Sequence, residues 1–226
     1  MDEKSKKQIN SEYSALLKKY GSDPKALKYV RRIQQEKRYT MMADIGTIDR
    51  QGSVLDVGCG LGHFCNFLRK YGWEGKYTGI DINPDMIKAC KKKFMATPEN
   101  TFICKDILLK NFDKKYDYVF CGATLEIRPQ FTNPIRYVVK MVEKMFSLTN
   151  KVLSFEVYTD KVDFMRDDST YISPAYLLDF CYSLTSRLVF RNDQRPYEAM
   201  IYLYKETEKD EINVYKNWDF PILNIR

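Results

Sequence analysis

The sequence predicts an α/β protein built on one seven-stranded, mostly parallel sheet with helices on both faces. Two observations support this prediction. Between residues 51 and 205, short apolar runs of strand length alternate with longer runs of helical period, which is typical of parallel sheets. A glycine-rich turn also joins the first of these strands to the helix that follows it, as doubly wound sheets require.

Seven segments have the length and apolar content of strands, and four segments between them have helical period or helix-start signals. The predicted strands are Ser53–Val57, Tyr77–Ile82, Thr101–Cys104, Tyr116–Cys121, Val152–Val157, Arg187–Arg191 and Ala199–Tyr204. The predicted helices are Leu61–Tyr71, Asp85–Met95, Asn133–Phe146 and Ser173–Tyr182.

The first fifty residues are predicted to be helical. An apolar stripe at helical spacing runs through Lys6–Tyr20 and ends at Gly21, and Asp23 followed by Pro24 is typical of a new helix start. We therefore expect three regions: an N-terminal helical extension or lid (1–50), a ligand-binding domain (51–205) and a C-terminal tail (206–226).

The net charge of +7 is concentrated near the N-terminus, where residues 1–38 hold eleven Lys and Arg against five Asp and Glu. Such a region can meet phosphates or an anionic substrate, and it can equally be the solvated face of a lysine-rich helix. Nucleic acid is therefore a possible but not a favoured partner.

Several classes of protein are disfavoured by composition. No stretch approaches the roughly 20 apolar residues needed to cross a bilayer, and the N-terminus lacks the apolar core of a signal peptide. We expect a cytoplasmic protein without a membrane partner. Six scattered cysteines without a CxxC pair favour reduced, buried thiols, and the single His63 argues against a metal centre.

The segment from Val54 to Gly62 joins the first strand to its helix with the spacing Gly-x-Gly-x-Gly. Glycines let the chain turn sharply and let a ligand lie against the backbone. A dinucleotide site would more often show Gly-x-Gly-x-x-Gly. Here Asp56 stands two residues before Gly58, the second strand ends at Asp81, and the third strand is followed by Asp106.

These four features together resemble motif I and the following motifs of class I methyltransferases dependent on S-adenosylmethionine (SAM). The resemblance implies a Rossmann-like sheet whose last strand is antiparallel. It also implies SAM as methyl donor, S-adenosylhomocysteine (SAH) as product, Asp81 on the ribose hydroxyls and Asp106 on the adenine amino group. The residues that it assigns to cofactor binding are Arg38, Asp56, Gly58, Cys59, Gly60, Gly62, Asp81, Ile82, Met86, Asp106, Ile107, Cys121 and Gly122.

Two flanking segments extend the resemblance to small bacterial methyltransferases of mostly unassigned substrate. Residues 35–39 resemble a Gln-x-x-Arg-aromatic element, in which Arg38 could clamp the methionine carboxylate of SAM. The stretch Ser173–Tyr204 resembles the C-terminal part of the same group. Asn192 stands there where a histidine is expected, which leaves that position without an acid–base role.

The sequence says less about the methyl acceptor than about the methyl donor. The segment after the fourth strand places Glu126 and Arg128 where the resemblance puts the substrate, so these two are the catalytic candidates. Further candidates for a general base are Asp160, Asp193 and Glu198. The leading hypothesis is a small polar molecule with an oxygen or nitrogen acceptor. Two alternatives stay open: an RNA or protein methyltransferase that uses the basic N-terminal region, and an inactive SAM-fold binding protein.

Overall fold

The computed structural model describes residues 1–46, 49–109, 111–195 and 197–205. The predicted C-terminal tail, residues 206–226, lies outside the described residues. All seven predicted strands are present, and their order in the sheet confirms a Rossmann-like α/β fold. The strands are β1 (Val54–Val57), β2 (Tyr77–Asp81), β3 (Asn100–Cys104), β4 (Tyr116–Cys121), β5 (Thr149–Thr159), β6 (Tyr171–Ile172), β7 (Leu188–Arg191) and β8 (Glu198–Tyr204).

The strand order is β3-β2-β1-β4-β5-β8-β7, and the first five of these strands are mutually parallel. The last strand, β8, is antiparallel to both of its neighbours, as the resemblance implied. The two-residue strand β6 was not predicted; it pairs with the end of β5. Because the parallel strands all end on the same edge, the loops that follow them meet there.

The described residues include six α-helices. Their bounds are α1 (Glu3–Tyr20), α2 (Arg32–Ala43), α3 (His63–Lys70), α4 (Pro84–Lys93), α5 (Pro134–Ser147) and α6 (Pro174–Leu184), with a 3₁₀ helix at Pro24–Leu27. Three of them, α1, α4 and α5, start at an Asp or Asn whose side chain accepts backbone N–H groups, the standard N-cap interaction.

Side chains of each strand alternate between two apolar layers. On β1, for example, Leu55 packs with α5 and α6, whereas Val54 packs with α2, α3 and α4. Helix α2 is fixed to its face because the Tyr202 hydroxyl, on β8, donates to the Met41 carbonyl at 2.7 Å. The N-terminal extension is therefore joined to the sheet by α2.

Helix α1 lies outside α4, at the edge where the parallel strands end. The Ser14 hydroxyl donates to Asp85 Oδ2 at 2.6 Å, and Asn10 Nδ2 donates to the Ile82 carbonyl at 3.1 Å. Among the described residues, no helix has the length and apolar character needed to span a membrane.

Candidate active site

A cavity lies where β1, β2, β3 and β4 end, and the N-terminal extension covers it. The strands contribute the glycine loop, the residues after β2 and β3, and the turn after β4. From the other side come α1, the 3₁₀ helix and α2. The lining residues are Met1, Ile9, Asn10, Tyr13, Leu27, Tyr29, Tyr39, Met42, Asp56–Gly60, Phe64, Ile80–Asn83, Met86, Lys105–Ile107, Gly122–Thr124, Ile127, Tyr137 and Met141.

The glycine loop needs glycine for two physical reasons. Gly58 and Gly60 have φ values of +76° and +50°, a region that residues with a β-carbon avoid. A β-carbon on Gly58 would also lie 1.9 Å from Oγ1 of Thr124. Glycine at these two positions therefore lets Thr124 and Leu27 approach the loop closely, and both glycines line the cavity.

Asp81 lies at the end of β2 with both carboxylate oxygens anchored. Its Oδ2 accepts the Gly60 N–H at 2.9 Å and its Oδ1 accepts the Asn83 N–H at 2.8 Å. Burial raises the pKa of Asp81, and the two backbone N–H groups oppose that rise. Each oxygen keeps a further acceptor site, which suits the paired hydroxyls of a ribose.

Asp106, after β3, is 8% exposed and carries an ion pair with Lys6 of α1, whose Nζ lies 3.0 Å from Oδ2. Its Oδ1 accepts the Leu108 N–H at 2.9 Å. Burial by itself would raise the pKa of Asp106, but the hydrogen bond from Leu108 and the interactions with Lys6 lower it overall. Buried Ile107 stands beside it as an apolar surface.

Asp56 forms the floor of the cavity beneath the glycine loop. It is 3% exposed, and the hydroxyl of buried Tyr77 donates to its Oδ2. Burial raises the pKa of Asp56 to about 7, with the Tyr77 hydrogen bond opposing the shift. This carboxyl group therefore changes charge near neutral pH.

The turn after β4 forms the other end of the cavity. Ala123 has φ of +55°, which is uncommon for a residue with a β-carbon and orients this turn. A β-carbon on the neighbouring Gly122 would lie 2.5 Å from Sδ of Met42, so α2 packs directly against the turn. Tyr29, Tyr39 and Met42 approach this end from the N-terminal extension.

Behind that end, three glutamates surround one arginine, a group that we call the Arg38 cluster (Arg38, Glu126, Glu156 and Glu198). Arg38 Nε lies 2.7 Å from Glu156 Oε2, and Nη2 lies 3.2 Å from an oxygen of each other glutamate. All four side chains are at most 8% exposed. Burial raises the pKa of Glu126 and of Glu156, while the charge of Arg38 opposes the rise.

The Arg38 cluster reaches the cavity through a tyrosine. Arg38 Nη1 donates to the Tyr29 hydroxyl oxygen at 3.0 Å, and Tyr29 lines the cavity. Burial raises the pKa of Tyr29 to about 12, partly offset by Arg38, so the phenol stays protonated at neutral pH. Because Arg38 occupies the oxygen, the hydroxyl hydrogen is available to another acceptor.

Most of the predicted cofactor residues line the cavity, but three do not. Arg38 is directed into its cluster of glutamates, with Nε 2.7 Å from Glu156 and Nη2 3.2 Å from Glu126 and from Glu198. Gly62, with φ of +65°, starts α3 and lies against Phe94 and Phe102, so it serves packing. Cys121 is fully buried in the core on the α5 side.

The two catalytic candidates lie apart. Glu126 belongs to the Arg38 cluster, whereas Arg128 is exposed, and its backbone N–H donates to the Asp168 carbonyl. Of the other base candidates, Glu198 joins the cluster. Asp193 is 59% exposed and paired with Arg191, and Asp160 is paired with Lys161.

Sequence reasoning missed part of the site. Asn10, Tyr13, Tyr29 and Met42 line the cavity from the N-terminal extension, whose helical pattern carries no signature of a ligand. Glu156 did have a signal in the sequence, because it stands between Phe155 and Val157 in the centre of a strand whose residues 152–157 are all buried. A charge in such a strand requires a buried partner of opposite charge.

Comparisons with known proteins agree with this geometry. A family model described as "Methyltransferase domain" matches residues 54–145, from β1 through most of α5. A putative methyltransferase of Mycobacterium tuberculosis is 28% identical over 158 residues, which is 68% of this chain and 93% of that protein. These matches support a class I SAM-dependent methyltransferase.

Other relatives of the methyltransferase match a smaller part of their own length. A malonyl-[acyl-carrier protein] O-methyltransferase of Ilyobacter polytropus is 36% identical over 77 residues, which is 34% of this chain and 29% of that protein. Two proteins whose solved structures contain SAH share the fold of this chain. Magnesium protoporphyrin IX methyltransferase from Synechocystis PCC 6803 with bound SAH has a TM-score of 0.63 at 16% identity, over 89% of this chain and all (100%) of that one. A DhpI–SAH complex has a TM-score of 0.66 at 17% identity, over 92% of this chain and 100% of that one.

The residues of the methyltransferase fit SAM. The glycine loop in the cavity wall, the anchored carboxylate of Asp81, and the apolar surfaces of Met86 and Ile107 offer the polar and apolar contacts that an adenosine needs. A buried Oδ1 of Asn10, in the cavity wall, has no partner within the described protein and can accept from a ligand. When bound, SAM supplies the electrophilic methyl group.

Proposed function

We propose that the methyltransferase transfers the methyl group of SAM to a small polar molecule through an oxygen or nitrogen atom. The observation that carries this proposal is that the N-terminal extension lines the cavity at the β4 end. Tyr29, Tyr39 and Met42 of that extension line it together with Thr124 and Ile127. A cavity lined both by the sheet and by the segment over it suits a small acceptor better than a nucleic acid or protein segment.

The polar groups at this end suit an acceptor with one polar group on an apolar body. Of the five side chains just named, three carry a neutral hydroxyl and two are apolar. Within this set, Tyr29 is the residue whose hydroxyl is oriented by a charged neighbour, Arg38. In the proposal, Tyr29 donates a hydrogen bond to the acceptor molecule and aligns its reacting atom with the methyl group.

Alignment and exclusion of water supply much of the catalysis of a methyl transfer, because the reaction is a direct displacement. In this scheme Arg38 is a positioning residue, since it acts through Tyr29. Glu126, Glu156 and Glu198 hold Arg38 in place from three sides. The N-terminal extension is, in the same proposal, a lid over the site.

The test uses SAM labelled on its methyl group, incubated with the protein and with separate pools of dialysable metabolites, RNA and proteins. We expect label to appear in the metabolite pool. Label in RNA or protein alone, together with steeply salt-dependent RNA binding, would favour the alternative that uses the basic N-terminal region. SAH binding without turnover of any pool would favour an inactive binding protein.

Tyr29→Phe tests the role of the hydroxyl once an acceptor is known. The variant should raise KM for the acceptor or lower kcat and leave the Kd for SAH unchanged, because the phenyl ring still fills the wall. Tyr71→Phe, which alters a tyrosine that is 60% exposed, is the matched control. A Tyr29→Phe variant with unaltered kinetics would remove Tyr29 from the mechanism.

A further inference from the structure

Helix α1 carries an amide side chain whose acceptor atom is buried without a partner. Oδ1 of Asn10 is inaccessible to solvent and accepts no hydrogen bond from the described protein. A buried acceptor left unpaired costs free energy, so such atoms in native proteins usually meet a ligand or water. Asn10 lies in the wall of the cofactor cavity.

The orientation of this amide is determined by its other end. Nδ2 of Asn10 donates to the Ile82 carbonyl at 3.1 Å, and only the NH₂ group can do so. The oxygen of the same amide therefore has to be the free atom. The Asn10 backbone carbonyl in turn accepts from Asn83 Nδ2 at 3.1 Å, which holds this turn of α1 at the end of β2.

The position of Asn10 indicates the part of SAM that it meets. Ile82 directly follows Asp81, the residue suited to the ribose hydroxyls. One helical turn before Asn10, Lys6 is paired with Asp106 after β3. Asn10 thus stands over the ends of β2 and β3, on the side of the cavity expected to hold adenosine.

We propose that Asn10 is a cofactor-binding residue whose Oδ1 accepts a hydrogen bond from the adenosine part of SAM, which makes α1 a wall of the cofactor site. Adenosine offers two kinds of donor, the amino group of adenine and the ribose hydroxyls. The inference rests on the cofactor and is independent of the acceptor. Helix α1 also precedes the segment 54–145 that the methyltransferase family model matches.

The experiment measures Kd by calorimetry for four ligands with the full chain and its Asn10→Ala variant. The ligands are SAH, its inosine analogue, which lacks the adenine amino group, and its 2′-deoxy and 3′-deoxy analogues. We expect Asn10→Ala to weaken SAH binding by about 3- to 10-fold, the loss of one hydrogen bond. The variant should show no such loss for one of the analogues, and that analogue identifies the donor.

Two controls separate contact with the ligand from docking of the helix. Ser14→Ala removes the hydroxyl that joins α1 to Asp85 and to Asn83, at a residue that does not itself line the cavity, and should leave the Kd for SAH within twofold. Equal losses for all four ligands in Asn10→Ala, or an equal loss in Ser14→Ala, would overturn the proposal. Both results would mean that Asn10 only holds α1 in place.

A measurement on the unaltered protein tests the same inference without a variant. Amide hydrogen exchange in α1 should slow when SAH binds, because the ligand adds a bond to that helix. Exchange in α6, on the opposite face of the sheet, serves as the internal reference. SAH binding that leaves exchange in α1 unchanged would contradict the proposal.

Discussion

The two ends of the cavity are built from different kinds of structure. At the cofactor end, the contacts come from short segments that directly follow β1, β2 and β3, and the key atoms belong to the backbone or to carboxylates anchored by it. At the β4 end, the side chains arrive from α2, from the turn after β4, and from β5 and β8 behind them.

This difference explains why the sequence predicts residues of the cofactor end but not those of the β4 end. A ligand held by turns at strand ends leaves a local signature of glycines and acidic residues at fixed distances. A surface assembled across the sheet leaves only single residues far apart in the chain. The following predictions test that contrast, starting from the buried charges at the β4 end.

Arg38→Ala should have the largest effect, because it leaves buried Glu126 and Glu156 without their cation and leaves Glu198 with Arg195 alone. Removing one partner of a buried ion pair typically costs about 3–5 kcal/mol of unfolding free energy, measured here by urea denaturation. Arg166→Ala, at an exposed pair with Asp168, should cost less than about 1 kcal/mol.

The losses of stability in Arg38→Ala and Arg166→Ala together show whether Arg38 acts within the Arg38 cluster. If Arg38 clamps the methionine carboxylate instead, Arg38→Ala would weaken SAH binding while changing stability no more than Arg166→Ala does. The loss of stability should also be smaller at pH 5 than at pH 8, because the unpaired carboxyl groups take up protons at low pH and lose their charge.

Gly58→Ala tests the backbone of the cofactor end. The new β-carbon adds strain at φ of +76° and a contact 1.9 Å from Oγ1 of Thr124, which together should cost about 2–4 kcal/mol. Gly46→Ala, at φ of +88° with nothing within 4 Å, should cost about 1–2 kcal/mol from strain alone. Thermal unfolding of both variants measures the difference, and equal losses would show that the close approach of Thr124 is unimportant.

Asp81→Ala should weaken SAH binding, and the change in binding free energy should be smaller than the changes in unfolding free energy expected for Arg38→Ala and Gly58→Ala. Loss of the hydrogen bonds to ribose should cost about 1–3 kcal/mol, which is about 5- to 150-fold in Kd by calorimetry. Asp113→Ala, at a side chain that is 82% exposed, is the matched control and should not change Kd. Unaltered affinity in Asp81→Ala would remove the ribose assignment.

Asp56→Asn should produce a change in pH dependence. The pKa of Asp56 is about 7 in the folded protein, against about 4 in an unfolded chain. Between those values the folded state binds more protons, so this group lowers the unfolding free energy as pH rises. Asp56→Asn should remove that decline between about pH 4 and 7, and Asp113→Asn should not. Parallel pH profiles for Asp56→Asn and the unaltered protein would contradict the buried, raised pKa.

The fold was predictable because alternating strands and helices with a glycine turn leave few arrangements. All seven strands were found, with bounds shifted mostly by a residue or two, and the two-residue strand β6 was too short to leave a pattern. The extension of β5 by three residues before Val152 and two after Val157 was missed, because polar residues there continue the strand beyond its apolar centre.

Asp56, Gly58, Gly60, Asp81 and Asp106 all line one cavity, and their contacts with SAM remain predictions. The role of Arg38 toward SAM likewise remains a prediction. Its place among Glu126, Glu156 and Glu198 could not be predicted because these partners are distant in the sequence, and only the pairing of β5 with β8 brings the last two together. Asn10 and Tyr29 could not be found from the helical pattern, which says which residues are apolar but not what a helix covers.

The most direct test of the account is calorimetric titration of the unaltered, folded protein with SAH. The account predicts binding at one site, and weaker binding by Asp81→Ala under the same conditions. A folded sample that gives no detectable binding at millimolar SAH would contradict the assignment of the cavity to SAM.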